Sequence, residues 1–386
     1  MKWEKVTLGE ISKNIQTGPF GSQLHQADYS EHGTPVVMPK DLINGRISDE
    51  SIARVNSAHV DRLNRHKIDE GDILYSRRGD VGRCAFASSA EKGWLCGTGC
   101  LRVTVDKTKA VAKFIFYQLQ RAESIGWIEN HAVGSTMLNL NTSILSAIPV
   151  TIPDIQTQTR IASVLSTYDN LIENNQKQIK LLEEAAQRLY QEWFVKLRFQ
   201  GHEKVKVVDG VPEGWRRVSI GNLIGKTHKT RQIKTSEYLD YGKIPIIDQS
   251  RDFIAGYTND MDTIIDLKKP VIVFGDHTRI LKYIQFPFAK GADGTQLIIS
   301  KCDNMPQVLL YCSLINVDLS NYHYARHFKY LKAEEVLVPS HKVSVCFENI
   351  CNPVFWQIQN LQNENNNAAE ARNRLLPKLM SGAIEV

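Results

Sequence analysis

The chain has no run of about 18 apolar residues, and its opening stretch, MKWEKVTLGE, lacks the apolar core of an export signal, so a cytoplasmic protein is expected. It has no phosphate-cradling G-x-x-x-x-G-K-[ST] loop, and no F-x-G-x-G stretch of the kind that holds S-adenosylmethionine. No His, Cys and Asp group falls at metal-ligand spacing, so no metal and no cofactor is expected in this chain. Seven cysteines are an odd number and none forms C-x-x-C; Cys96/Cys100 and Cys346/Cys351 are the only close pairs, so buried reduced thiols are expected. A strong charge of either sign is also missing: 47 Lys and Arg stand against 42 Asp and Glu, a net charge of +5. That permits a nucleic-acid partner without demanding one. Catalysis has no visible machinery, and a binding protein remains.

A length of 386 residues with 42% hydrophobic and 23% charged residues suits a globular protein of two or three domains. One stretch is carried twice. In Gln156–Phe199 apolar residues alternate four and three apart: Ile161, Tyr168, Leu182 and Leu189 form one series, with Asn175 among them. Leu165, Ile172, Ile179, Ala186 and Trp193 form the other. A shift of 186 residues, as from Ile161 to Phe347, brings Val354, Leu361, Ala368 and Leu375 into one series and Cys351, Ile358, Asn365 and Leu379 into the other; only Arg372 breaks the stripe. Such spacing is the seam of a coiled coil. Two ordinary amphipathic helices, each packed on its own core, are the plainer alternative.

Ahead of each helix lies a segment of short strand patterns. Thr34–Met38, Asp72–Ser76 and Leu101–Val105 in the first match Ile244–Ile247, Pro270–Phe274 and Gln296–Ile299 in the second. Short helices follow at Ala112–Gln120 and Gln307–Leu314, then strands ending in proline at Ala147–Pro153 and Glu335–Pro339. Gly201–Gly214 reads as a linker. Four segments result: 1–153, 154–200, 201–340 and 341–386. The fold class is α+β, two β-rich domains separated by two long antiparallel helices with pseudo-two-fold symmetry. Ser166 and Asn352 look like N-caps and Pro353 like a first helical residue. A short helix is therefore expected to end near Leu165 and near Cys351, with a helix of about 30 residues, roughly 45 Å, restarting after each. Antiparallel pairing would set Asn175 opposite Asn365, as a buried register pair or as two solvent-facing amides.

Each domain opens in W-x-x-V-x-[LI]-G: Trp3, Val6, Leu8 and Gly9, then Trp215, Val218, Ile220 and Gly221. Between them stand Ile152-Pro153, Gln158, Ile161-Ala162, Leu165-Ser166 and Asp169 ahead of the long helix. This combination, over essentially the whole chain, resembles the specificity subunit of type I restriction–modification systems. The second spacer departs from it, because His341–Ile350 lacks the Q-x-x-I-A core. The resemblance implies a non-catalytic subunit whose two target-recognition domains each read half of a split sequence on double-stranded DNA. It implies that the helices set the gap and dock two methyltransferase subunits, which carry S-adenosylmethionine, with restriction/translocase subunits as further partners. Leu165, Ile172, Asn175, Ile179, Leu182, Leu189, Trp193, Ile358, Leu361, Asn365 and Leu375 are the expected pairing and docking residues.

DNA reading needs Lys and Arg for phosphates and donors that reach base edges. In the first half the candidates are Phe20 and Ser22 in T-G-P-F-G-S, Arg77, Arg78 and Arg83 in a basic turn, and Ser135 and Thr136 in a later loop. In the second half they are His277, Thr278, Arg279 and Lys282 after the corresponding strand, and Arg326 and Lys329 in the late loop. Arg231 lies in a run, Arg216–Lys234, that holds no acid and reads either as a solvated face or as a phosphate track. Residues 1–153 carry 18 basic and 16 acidic side chains and residues 209–339 carry 17 and 15, so neither half is the obvious sole binder. Two rival readings stand beside this one. A scaffold without a DNA role would lack salt-dependent binding to duplex DNA. An enzyme, a fused methyltransferase or nuclease, would show methyl transfer by the isolated chain, and the N-P-V-F of Asn352–Phe355, which a methyltransferase needs on a loop, is expected to start a helix.

Overall fold

In the computed structural model, which describes residues 3–134, 137–227, 230–321 and 326–386, the chain divides into two compact units. Unit 1 is Met1–Ile172 with Asn367–Val386, and unit 2 is Glu173–Asn366.

Unit 1 begins with β1 (Glu4–Thr7) and β2 (Ser12–Thr17), followed by β3 (Thr34–Val37), β4 (Ala53–Val55), β5 (Ile73–Ser76), β6 (Cys84–Phe86) and β7 (Cys100–Val105). β7 lies between β2 and β5, antiparallel to both, and β6 completes that sheet beyond β5. The register sets Val103 beside both Ile15 and Ile73. Period-two alternation then sends Leu101, Val103 and Val105 to one face. There they meet Phe114, Ile115 and Tyr117 of α1 (Ala112–Leu119), with α2 (Ala122–His131) behind. β3 and β4 belong to a second sheet. β8 (Pro149–Ile152) returns to pair with β1, Val6 beside Val150, and leads into α3 (Ile155–Tyr190).

Unit 2 repeats the plan. β9 (Arg216–Ser219) pairs antiparallel with the domain's last strand, so each start signal is stapled to a strand that ends in proline. β10 (Ile244–Ile247) is followed by β11 (Val271–Gly275), which lies between β12 (Leu281–Ile284) and β13 (Thr295–Ile298). α4 (Gln307–Ile315), α5 (His327–Ala333), β14 (Glu335–Val338) and α6 (His341–Met380) follow. The expected strands and short helices are all present within a residue or two of their predicted ends. Gly201–Gly214 is not a bare linker: Val207–Val208 pairs with Val211–Pro212 across Asp209-Gly210, both at positive φ. Asp-Gly is the sequence sign of such a hairpin.

The expected helix breaks do not occur. α3 and α6 run uninterrupted for 36 and 40 residues, about 54 and 60 Å. Ser166 is no cap; it lies mid-helix, with its Oγ 3.3 Å from the Tyr117 hydroxyl. Asn352 donates to Glu348 one turn back, at 3.4 Å. Pro353 removes one helical N–H, but it and Asn349, whose carbonyl loses its donor, both face solvent, where water replaces the bond. Pro377 is likewise accommodated before α6 stops. Gly382, at φ +73°, supplies the stop, and a Cβ there would meet the Trp3 indole at 2.7 Å. After Tyr190 a π-helical turn, Gln191–Val195, aims Trp193 and Phe194 into the core of unit 2.

Within each unit α3 and α6 run antiparallel. In unit 1 Arg372 on α6 meets Asp169 on α3. In unit 2 Asn175 meets Glu364, and Trp193 meets Phe347. The stripe residues Leu165, Trp193, Ile358 and Leu361 are buried, and Ile172, Ile179, Leu182, Leu189 and Leu375 are half-buried. Asn175 is buried but does not pair with Asn365: its amide donates to Glu364 at 2.6 Å, and the Asn365 Oδ1 is buried without a partner.

Candidate nucleic-acid interface

In unit 1 the candidate residues gather where β5 ends. The turn after it is closed by Ser76 N–H donating to Arg83 C=O at 2.9 Å, and Val81 anchors it in the core. Arg78, Gly79, Asp80 and Arg83 face solvent. Gly79, at φ +76°, donates its N–H to Leu138 C=O and lets the turn fold flat. Arg77 is pinned on both sides: its N–H donates to Gly99 C=O and its C=O accepts from Leu140 N–H, both at 2.8 Å. Phe20, 53% exposed, lies beside it, with the Arg77 guanidinium 5.8 Å from the ring centre. The close approach of Gly18 to the Gly97 carbonyl, where a Cβ would stand at 2.0 Å, brings that turn in; Ser22 is exposed on it. Arg83 is paired with Asp80 at 2.8 Å, so its charge is partly neutralised. Ser135 and Thr136 lie outside the described residues. The segment that brackets them closes through Val133 and Asn139, with Val133 and Met137 exposed beside the basic turn.

Unit 2 builds the same platform with other side chains. Asp276 N–H donates to Gly294 C=O at 2.7 Å, and Asp276 C=O accepts from His327 N–H at 3.0 Å, the pattern made around Arg77. The Asp276 carboxylate, though, turns inward and accepts from Phe328 N–H at 2.7 Å. His277 and Thr278 are exposed on the turn and are held by Gln249: its Oε1 accepts from His277 N–H, and its C=O accepts from the Thr278 hydroxyl. Arg279 is half-buried at φ +61°. Arg326 and Lys329 are exposed at the start of α5.

Two candidates are placed otherwise than expected. Lys282 is only 4% exposed: its ammonium donates to the Asp252 carbonyl and lies 3.9 Å from the Asp248 carboxylate, so it supports β12 from inside and offers nothing to a surface. Burial pushes its pKa down to about 8, against the pull of Asp248 and Asp252. Arg231 sits between Glu237 and Asp260, so acids beyond the end of the run neutralise this member of it.

Sequence reasoning missed the polar node of unit 1. Asp169, which is buried, accepts from the Tyr117 hydroxyl at 2.5 Å and from Arg372 Nη1 at 2.6 Å. Its backbone carbonyl accepts from Arg46 at 2.6 Å, and Lys113 lies 3.9 Å from the carboxylate. Burial and this carboxylate raise the Tyr117 pKa, which keeps the phenol a donor. Arg372 thus does not break the stripe but answers a carboxylate that belongs to the spacer signature. Also missed was a cleft of about 490 Å³ in unit 1, lined by Lys13, Arg65, Lys67, Lys92 and Arg102 against Asp69 and Asp72. Its cations are scattered from residue 13 to 102, and no local motif signals it.

Among the described residues no helix is long and apolar enough to cross a membrane, and no three His, Cys, Asp or Glu side chains are grouped to hold a metal ion. All seven cysteines are unpaired, five of them buried. Asn352–Phe355 lies inside α6, not on a loop.

Residues 1–184 match the family model described as the type I restriction modification DNA specificity domain. The specificity subunit of type I restriction enzyme MjaIX from Methanocaldococcus jannaschii is 25% identical, with 91% of this chain and 87% of that protein covered. The HindI specificity subunit from Haemophilus influenzae is 25% identical over 197 residues, which is 50% of this chain and 41% of that protein. In fold, the crystal structure of a type I S subunit from M. genitalium agrees with a TM-score of 0.60 at 18% identity, covering 98% of this chain and 96% of that one. Residues 1–184 thus carry a type I restriction modification DNA specificity domain, and the chain over nearly its whole length is similar to the specificity subunits of type I restriction enzymes.

Proposed function

We propose that this chain is the sequence-reading, non-catalytic subunit of a type I restriction–modification complex. Each β-rich domain reads one half of a bipartite site on double-stranded DNA, and the length of the paired helices sets the gap. Two methyltransferase subunits dock on the helices and bring S-adenosylmethionine; restriction/translocase subunits join in complexes that cut. The repeated platform carries this reading. The same backbone hydrogen bonds recur around Arg77 and around Asp276, yet the side chains offered there differ in charge and shape. A constant frame bearing two different sets of groups is what reading two different half-sites requires. Leu181 and Val195 on the first helical region and Ile350 and Trp356 on the second are exposed apolar side chains suited to the docking role.

The test is to map methylated adenines in DNA from cells that hold the methyltransferase subunits, with and without this chain. A bipartite, gapped methylation pattern that appears only with the chain is expected. The assembled complex should also bind duplex DNA with a steep salt dependence. Methylation that does not depend on the chain, or a flat salt response, would leave a scaffold without a DNA role.

A further inference from the structure

Nine buried side-chain polar atoms lack a hydrogen-bond partner among the described residues, and three of them belong to adjoining segments of unit 1. They are Arg77 Nε, Thr98 Oγ1 and Asn139 Oδ1. The three segments are neighbours: Arg77 is hydrogen-bonded to Gly99 on one side and to Leu140 on the other, and Arg78 bridges to Asn139. Buried polar groups are nearly always satisfied, so a cluster of orphans beside exposed apolar and basic side chains points to a ligand that completes them. The Arg77 guanidinium has no hydrogen bond or ion pair among the described residues and rests only near the Phe20 ring. Arg83, in the same turn, is tied to Asp80.

We propose that Arg77 selects a guanine in the half-site read by unit 1, its guanidinium moving off Phe20 to donate to guanine O6 and N7. This rests on the DNA-reading role proposed above. Guanine alone presents two adjacent acceptors in the major groove; adenine presents an acceptor beside a donor, and thymine one acceptor with a methyl group. A planar guanidinium with no partner among the described residues matches that pair. Arg77 and Arg78 divide the work. Arg78 is exposed and can follow phosphates, whereas Arg77 has its backbone fixed on both sides, as a contact that must distinguish bases requires. Leaving its present position costs Arg77 little, because its Nε has no partner among the described residues to lose there. Among the described residues unit 2 shows no counterpart: Asp276 takes this position and its carboxylate is occupied by Phe328 N–H. Selection of this kind is therefore confined to one half-site.

The experiment uses the full chain assembled with its methyltransferase subunits and a duplex DNA library randomised across both half-sites, from which bound sequences are recovered. The wild type should retain an invariant guanine in one half-site. Arg77→Lys keeps the charge but loses the fork, and should lower preference for that guanine by roughly 5- to 150-fold with the other half-site unchanged. Arg77→Gln, whose amide matches adenine, should shift the preference at that position toward adenine. Thermal melting of each variant confirms folding, and the unchanged half-site is the internal control. Weaker binding to all sequences with the selected sequence intact would make Arg77 a phosphate contact and overturn the assignment, as would no change at all. A wild-type complex that recovers no bipartite sequence would instead overturn the DNA-reading role itself.

Discussion

Asp169 ties together three parts of unit 1: the recognition domain through Tyr117 and Arg46, the first long helix on which it sits, and the second through Arg372. Removing Arg372 leaves a mostly buried carboxylate short of its nearest charge partner. Arg372→Ala should therefore destabilise unit 1 by about 1–3 kcal/mol, read as a lower unfolding midpoint in urea. If Arg372 were a mere flaw in the apolar stripe, Arg372→Leu would stabilise instead. Lys282 gives a residue-scale effect of pH. Its pKa is about 8 in the folded chain and 10.5 ordinarily, so between these values the unfolded chain holds a proton that the folded chain has released. Stability of unit 2 should accordingly rise as pH climbs from about 8 to about 10.5, and the folded state is penalised below about 8. Denaturant unfolding at pH 7.5, 9 and 10 should show the rise, and Lys282→Met should flatten it.

At the scale of elements, the strands were legible because each is a short β-branched run bounded by Gly, Asp or Asn, and the long helices because their stripe repeats. The helix breaks were misread because Ser166 and Asn352 are good caps only where their side chains turn back to free N–H groups. Here Ser166 is drawn to Tyr117 and Asn352 to Glu348, tertiary and helical partners that no local window displays. Pro353 should still cost the helix something, since its exposed position relieves the carbonyl but not the missing bond. Pro353→Ala is expected to stabilise unit 2 by about 1–2 kcal/mol, less than the full helix-interior penalty of about 3 kcal/mol because proline also restricts the unfolded chain. A Tm for Pro353→Ala no higher than that of the parent would mean that α6 has already adapted to the proline.

For the whole molecule, the plan of domain, helix, domain, helix could be read from the two W-x-x-V-x-[LI]-G starts and the repeated stripe. The candidate turns were readable as places but not residue by residue. Lys282 and Arg78 look alike in a sequence, yet one is sealed beneath Asp252 and the other faces solvent, and only the packing of distant segments separates them. The boundary between the units falls within both long helices, after Ile172 in one and after Asn366 in the other. Helix length is therefore a variable that can be changed without touching either platform. Four residues inserted into α3 near Asn174 and four into α6 near Asn366 add about 6 Å to each. A four-residue insertion is a stutter that paired helices absorb by local unwinding. At about 3.4 Å per base pair, the methylated site should keep both half-site sequences while the gap between them grows by one or two base pairs. Mapping methylated adenines for the parent and the lengthened chain reads this directly. A lengthened chain that still methylates at the original spacing would show that something other than the helices sets the gap.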